Sequence, residues 1–208
     1  MPSMCRTVVV MKRRLLVLTT LVAVGCVSLA ACSGGESADS DSSTADSAAP
    51  DATWNDADVA FVQGMIPHHE QAVEMSDMMT GRTVSNSTAA LAEQIRAAQT
   101  TEVALMQGFL AEWGVELDPH AGHSGDHSMG EGMMSDEQLD ELESAGGVDF
   151  ERMWLTMMLE HHQGAVAMAN TVLSGGSDPR VRTLAEGIVA AQQAEIAQIE
   201  ALLASLGG

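Results

Sequence analysis

The chain has 208 residues, 46% of them hydrophobic and 3% aromatic, and its formal net charge at pH 7 is −20. A chain of this length can bury one ordinary hydrophobic core besides its terminal segments. The strong negative charge disfavours binding to nucleic acid and to anionic lipid head groups, and it attracts cations.

The first segment, residues 1–31, has the pattern of an export signal. A basic stretch, KRR at 12–14, precedes an apolar run that ends in LAAC, with Cys32 as its last letter. This order of basic, apolar and small residues is typical of a secretory signal peptide. The cysteine resembles the lipidated residue of a bacterial lipobox, so we predict a lipoprotein anchored at Cys32 to the outer face of the cell membrane. The alternative is a plain signal peptide with an incidental cysteine, and translation could begin at Met1 or Met11.

Residues 32–53 are predicted to be a disordered acidic spacer, because this Ser- and Ala-rich stretch contains almost nothing that a core could bury. Four of the nine Lys and Arg precede Cys32 and all 29 acidic residues follow it, which leaves 5 basic and 29 acidic residues and a charge of −24. Cys5 and Cys26 lie in the signal, so the exported part cannot form an internal disulfide.

Two parts of the remaining chain repeat each other at a spacing of 93 residues. MIPHH at 65–69 aligns with MLEHH at 158–162, and LAEQIRAAQTTEVALM at 91–106 aligns without a gap with LAEGIVAAQQAEIAQI at 184–199. Apolar residues recur at steps of three and four in all four stretches, and good helix formers dominate them. Each stretch is therefore predicted to be a helix.

The predicted fold is all-α. Residues 54–208 form one domain in which two repeated helical hairpins pack as a four-helix bundle. The first repeat covers about 54–114 and the second about 147–208. The long connection at 115–146 contains one short helix that begins at Ser135, with a capping box closed by Gln138.

The second helix of each repeat is predicted to have an apolar stripe with a glutamate near its centre. In the first repeat Glu102 lies within a stripe formed by Leu91, Ile95, Ala98, Leu105 and Phe109. In the second repeat Glu195 lies within a stripe formed by Leu184, Ile188, Ala191 and Leu202. Helical geometry likewise turns both His pairs toward the apolar side of their helices.

A buried carboxylate requires a hydrogen-bonding partner or a metal ion. The four imidazoles and two carboxylates could therefore form a metal-free polar layer or a metal site.

Methionines flank both His pairs at three to seven residues, and thioether with imidazole favours copper, as Cu(I) or Cu(II), over harder ions. Thioether also persists in an oxidising compartment where free thiolate does not. The predicted copper ligands are His68, His69, His161, His162, Met65, Met75, Met158, Met168, Glu102 and Glu195.

The connection contains a second, Gly-rich stretch of possible ligands, PHAGHSGDHSMGEGMM at 119–134. Such a tract is typical of a flexible metal-capturing segment, although a polar linker that contains histidine is the alternative. Its weaker candidates are His120, His123, His127, Met129, Met133 and Met134.

The two repeats differ at one helical position beside the histidines. Pro67 removes the backbone hydrogen bond to the carbonyl of Gln63, so a kink is predicted just before His68. The second repeat has Glu160 at that position. We therefore expect the two halves of the site to be unequal.

These motifs resemble the bacterial family of domain of unknown function 305. The resemblance rests on MIPHH and MLEHHQGAVAMA, on the Gln and Glu of AAQTTE and AAQQAE, and on GMMSDEQLDEL, and it covers nearly all of residues 54–208. It implies a ferritin-like helical bundle and, for some members, copper binding and copper tolerance outside the cytoplasm. It implies no established enzyme activity.

The leading hypothesis is an extracytoplasmic lipoprotein that sequesters copper or hands it on, in copper homeostasis or tolerance. Its predicted partners are the metal ion and the membrane, through Cys32, but not nucleic acid. One alternative is a ferritin-like metal-dependent oxidase, although the paired Glu-x-x-His motifs of dinuclear carboxylate sites are missing. The other is a metal-free helical interaction module.

Overall fold

The structure is a computed structural model and describes residues 53–118 and 131–207. Within these ranges the chain forms helices and no strand, which confirms the all-α class. The helices are α1 (Asp56–Asp77), α2 (Asn86–Trp113), α3 (Asp136–Ser144), α4 (Gly147–Gly175) and α5 (Pro179–Leu206). The predicted signal, the lipid anchor and, except for Thr53, the spacer lie outside the described residues. The loop candidates His120, His123, His127 and Met129 also lie outside them.

Side-chain caps fix where the helices begin. At α3 the amide of Gln138 donates to Ser135 Oγ at 3.2 Å, and the amide of Ser135 donates to Gln138 Oε1 at 2.9 Å. This is the predicted capping box, which satisfies backbone donors that a helix start leaves unpaired. At α5 Asp178 accepts from the amide of Arg180 at 2.8 Å, and Pro179 supplies the first helical residue, where its missing N–H costs nothing.

The long helices pack chiefly as α1 against α2 and α4 against α5, while α1 also packs along α4. The core has two clusters. Met65 and Ala165 belong to one, and Met75 and Met158 belong to the other. The chain passes from the first cluster to the second along α1 and in the opposite order along α4. The two helices therefore run antiparallel, with a His pair between the clusters on each.

Two acidic side chains at equivalent positions of the repeats join the halves of the molecule. Asp58 of α1 accepts hydrogen bonds from the amides of Ser177 and Asp178, at 2.8 and 3.1 Å, where α5 begins. Glu151 of α4, which aligns with Asp58, accepts from the amide of Ser85 at 3.1 Å, where α2 begins. Each repeat therefore holds the start of the other repeat's second helix, and neither repeat is self-contained.

The predicted apolar stripes of the second helices were wrong in their central positions. Ala98 and Ala191 are exposed, and the side chain of Leu105 keeps 46% of its surface exposed. The inward face of α2 runs instead through Leu91, Ile95, Gln99, Met106 and Phe109. A buried glutamine does not stand out in an apolar pattern, so the neighbouring Ala98 and Leu105 extended the predicted stripe instead.

Helix α1 runs from residue 56 to 77 without a break at Pro67. The proline lacks an N–H and cannot donate to the carbonyl of Gln63, and the predicted kink at this point stays a prediction. None of the helices in 53–118 and 131–207 has the length and apolar character required to span a bilayer.

Candidate metal centre

One histidine from each repeat forms an inner pair where α1 crosses α4. The ring centroids of His68 and His161 are 3.8 Å apart, with the rings tilted by 43°. Neither side chain has exposed surface. Nε2 of His68 donates to the carbonyl oxygen of Glu131 at 3.1 Å, whereas neither ring nitrogen of His161 has a partner among the described residues. The pair therefore places unused ring nitrogens in the core.

The other two histidines form an outer pair, each bonded to a glutamate of its own repeat. His69 Nε2 lies 2.8 Å from Glu102 Oε2, and His162 Nε2 lies 2.9 Å from Glu195 Oε2. A carboxylate accepts, so in the neutral imidazole the proton is on Nε2 and the lone pair is on Nδ1. Both Nδ1 atoms lack a partner within the described ranges. A carboxylate that orients an imidazole in this way is a common feature around metal ligands.

Burial keeps the inner histidines neutral. Removal from water lowers the pKa of His68 to about 3, with a further lowering by nearby His69. Burial also lowers the pKa of His161 well below 6.5, and His68 adds to the effect. A neutral imidazole retains the lone pair that a metal ion requires. An unpaired buried polar atom costs about 1 to 3 kcal/mol, so a bound ion would relieve a real penalty.

The four predicted methionine ligands differ in position. Met65 and Met158 are fully buried, and each lies three residues before an inner histidine, which places it one turn away on the same helical face. Met75 is also fully buried and packs in the second core cluster, while Met168 is half-buried and packs against the first. All four have apolar neighbours, so filling the core accounts for their burial by itself.

Two buried glutamines were not among the predicted site residues. Gln99 and Gln192 occupy equivalent positions on α2 and α5, are 2% and 3% exposed, and neither amide group has a partner in the described chain. Each lies three residues before the glutamate that binds an outer histidine. The shared Gln-x-x-Glu spacing of AAQTTE and AAQQAE was the signal that could have identified them.

A short strap, residues 131–134, crosses α4 beside the inner pair and supplies the carbonyl that His68 binds. Gly132 has φ of +79° and approaches Gly164 of α4 so closely that a Cβ on either residue would meet backbone atoms of the other segment. Gln71 holds the far end, because its amide group exchanges two 2.8 Å hydrogen bonds with the backbone of Met134. The Met134 side chain is buried in the second core cluster, and Met133 is half-buried.

The imidazoles and carboxylates do not by themselves complete a coordination sphere. Within 53–118 and 131–207, no three or more His, Cys, Asp or Glu side chains are grouped so that they could hold a metal ion. Met65 and Met158, each one helical turn before an inner histidine, add two buried thioethers. Imidazole with thioether suits a soft ion such as Cu(I), whereas hard divalent ions require several oxygen ligands.

The chain is similar to several proteins of known structure. A DUF305 protein of Streptomyces coelicolor, inferred to be secreted, is 31% identical over 73% of this chain and 94% of its own, with a TM-score of 0.66. A DUF305 fragment from Deinococcus radiodurans is 32% identical over 73% and 97%, with a TM-score of 0.66. CopM in a Cu(I)-bound form is 28% identical over 73% and 98%, with a TM-score of 0.61, and CopM has also been solved with Cu(II) and with silver.

No curated protein is similar enough to the chain to count as a match. Residues 58–203 match the family described as domain of unknown function DUF305. This range contains α2, α4, nearly all of α1 and α5, both His pairs and both glutamates that bind the outer histidines. The chain therefore belongs to the DUF305 family.

Proposed function

We propose that the protein binds copper outside the cytoplasm and sequesters it or hands it on, in copper homeostasis or tolerance. The observation that carries this proposal is the inner pair, two fully buried imidazoles whose ring centroids are 3.8 Å apart and of which one has no partner in the described residues. The similarity to CopM, which was solved with Cu(I), supports the choice of metal. The Streptomyces relative inferred to be secreted supports a location outside the cytoplasm.

The proposed main ligands are the ring nitrogens of His68 and His161 together with the thioethers of Met65 and Met158. His69 and His162 supply further nitrogens, which Glu102 and Glu195 orient. Glutamine in place of either glutamate should weaken copper affinity by roughly ten- to a hundredfold. Met75 and Met168 assist the same site, and the loop ligands bind additional copper more weakly.

The remaining parts of the proposal concern architecture and anchoring. The four long helices form a ferritin-like four-helix bundle of two repeated hairpins, behind a signal peptide at 1–31 and a spacer at 32–53. A lipid on Cys32 attaches the domain to the outer face of the membrane. Intact-mass analysis of protein from the membrane fraction should give the mass of an acylated Cys32 terminus, and an unmodified terminus after Cys32 would contradict the anchor.

The copper proposal is tested on the domain from residue 54 onward, purified without a His tag. Its metal content is measured by mass spectrometry, and Cu(I) is titrated against a competing chelator. The conservative variant Met65→Leu with Met158→Leu removes both thioethers beside the inner pair, at a cost in stability below about 1.5 kcal/mol each because leucine conserves volume. Met78→Leu with Met153→Leu is the matched control, since these methionines are only half-buried.

Loss of affinity in the first Met variant and not in the control would support the inner site. Replacement of both inner histidines by alanine should abolish tight binding, and replacement of both outer histidines should weaken it. If only deletion of residues 119–130 lowers affinity, the core histidines are structural and the assignment is wrong. Absence of any bound metal would favour the interaction module, and turnover of Cu(I) or Fe(II) under oxygen would favour the oxidase.

A further inference from the structure

A metal ion has to pass through protein to reach the core, because all four imidazoles lack exposed surface. The groups bonded to the outer histidines are not equally buried. The side chain of Glu102 keeps 24% of its surface exposed, whereas that of Glu195 keeps 7%. The first repeat is therefore more open than the second at an otherwise equivalent point.

One residue difference between the repeats lies beside these glutamates. Gln94 of α2 reaches across to α5, and its Nε2 donates to Glu195 Oε1 at 2.9 Å. The equivalent of Gln94 in the second repeat is Gly187, whose missing Cβ would point into open space. Nothing can therefore reach back to Glu102 in the same way, and its Oε1 has no protein partner among the described contacts.

The surface charge beside the two glutamates differs in the same direction. A groove of about 640 Å³ is lined by residues of α1 and α2 and by Glu143 of α3. Three acids of α1, Glu70, Glu74 and Asp77, line it together with Val103, the neighbour of Glu102. The α4 residues that align with these three acids are neutral, namely Gln163, Ala167 and Asn170. Clustered carboxylates raise the local concentration of cations and the rate at which they associate.

We infer that copper enters the site through the first repeat, by way of the α1–α2 groove and Glu102, and not through the second repeat. This inference rests on the proposed function. The free oxygen of Glu102 receives the cation at the protein surface, while the other oxygen keeps His69 oriented with an unprotonated Nδ1. Gln94 holds Glu195 in place and closes the second repeat to entry.

The entry route can be tested by placing the glutamine of one repeat at the aligned position of the other. Gly187→Gln installs the missing contact on Glu102, and Gly187→Ala is its control, since it changes helix propensity without adding a hydrogen-bonding group. Cu(I) is delivered from a chromophoric chelator, and the release of the chelator is followed by stopped flow. Gly187→Gln should take up Cu(I) about fivefold more slowly than Gly187→Ala, the factor that one added hydrogen bond contributes. The amount bound at equilibrium should be unchanged.

A second set of variants tests the charge of the groove by giving its three α1 acids the neutral character of the aligned α4 residues. Glu70→Gln, Glu74→Ala and Asp77→Asn together should slow uptake about tenfold at low ionic strength and lose most of that effect in high salt. Asp140→Asn, Glu186→Gln and Glu200→Gln remove the same total charge from exposed sites elsewhere, and they should have a much smaller effect. An equal effect of the two triple variants would overturn the role of the groove.

A metal-free measurement tests the same route. Diethyl pyrocarbonate should modify His69 before His162, with Gly187→Gln protecting His69 and Gln94→Ala exposing His162. Equal reactivity of the two histidines, or an unchanged uptake rate in Gly187→Gln with normal equilibrium binding, would overturn the entry route alone. A wild-type domain that binds no copper at equilibrium would instead overturn the proposed function.

Discussion

The two repeats share a helical scaffold and a His pair but differ in what surrounds it. In the first repeat the outer glutamate is partly exposed beside an acidic groove. In the second repeat Gln94 donates a hydrogen bond to the buried glutamate, and the α4 positions that align with the three groove acids are neutral. The strap adds a further difference, because Gln71 binds it from the first repeat whereas the aligned Gly164 makes room for it in the second. The two repeats therefore share the buried histidines, while the surrounding residues differ.

The largest expected effect is at the strap. Gly164→Ala would place a methyl group on the backbone of Glu131 and Gly132, so we expect a loss of about 3 kcal/mol in the free energy of unfolding, as for an overpacked core. Gln71→Ala leaves the backbone of Met134 with two unmet hydrogen bonds and should cost about 2 kcal/mol. Urea unfolding monitored by circular dichroism measures both, and a fully stable Gly164→Ala would contradict the close crossing.

The contacts that join the repeats should be unequal. Asp58 is fully buried, and its Oδ2 accepts from three backbone amides, so Asp58→Asn should cost about 2 kcal/mol. Glu151→Gln should cost about 1 kcal/mol, because Thr88, which donates to Glu151 at 2.6 Å, can turn its hydroxyl to accept. Thermal unfolding of the two variants checks the order, and a larger effect for Glu151→Gln would reverse our assignment of the stronger link.

The cost of Glu151→Gln should depend on pH. Burial by itself raises the pKa of Glu151, but hydrogen bonds from Thr88 and Ser85 bring it below the ordinary 4.5. A carboxyl group with a lowered folded pKa stabilises the fold above its unfolded pKa, and that contribution is lost as pH falls through the folded pKa. The stability difference between wild type and variant should therefore shrink below about pH 4.5. Urea titrations from pH 7 to pH 3 measure it, and a constant difference would show that the charge is irrelevant.

The smallest expected effects concern two helix glycines that the repeats do not share. Gly108 of α2 aligns with Ala201, and Gly187 of α5 aligns with Gln94; a Cβ at either glycine would meet nothing within 4 Å. Alanine at either position should raise the free energy of unfolding by about 1 kcal/mol through helix propensity alone. Equal gains by thermal unfolding are expected, and a loss at Gly187 would indicate that its open space has a structural role.

Sequence periodicity determined most of the secondary structure and the inward direction of the histidines. Apolar residues that recur every 3.6 positions indicate which face of a helix is buried. Capping residues such as Ser135 and Asp178 indicate where a helix begins. The gapless alignment at 93 residues also placed the two His pairs at equivalent positions of their own helices. None of this depends on which other helix lies opposite.

Only the tertiary structure decided which groups meet. Periodicity predicts the same inward direction for all four histidines. The antiparallel crossing of α1 and α4 places His68 against His161, whereas His69 and His162 each bind a glutamate of their own repeat. The strap over the inner pair depends on two glycines far apart in the chain. The links from Asp58 and Glu151 cross between repeats. Helix periodicity fixes directions around one axis, whereas contacts between residues distant in sequence depend on how separate helices pack.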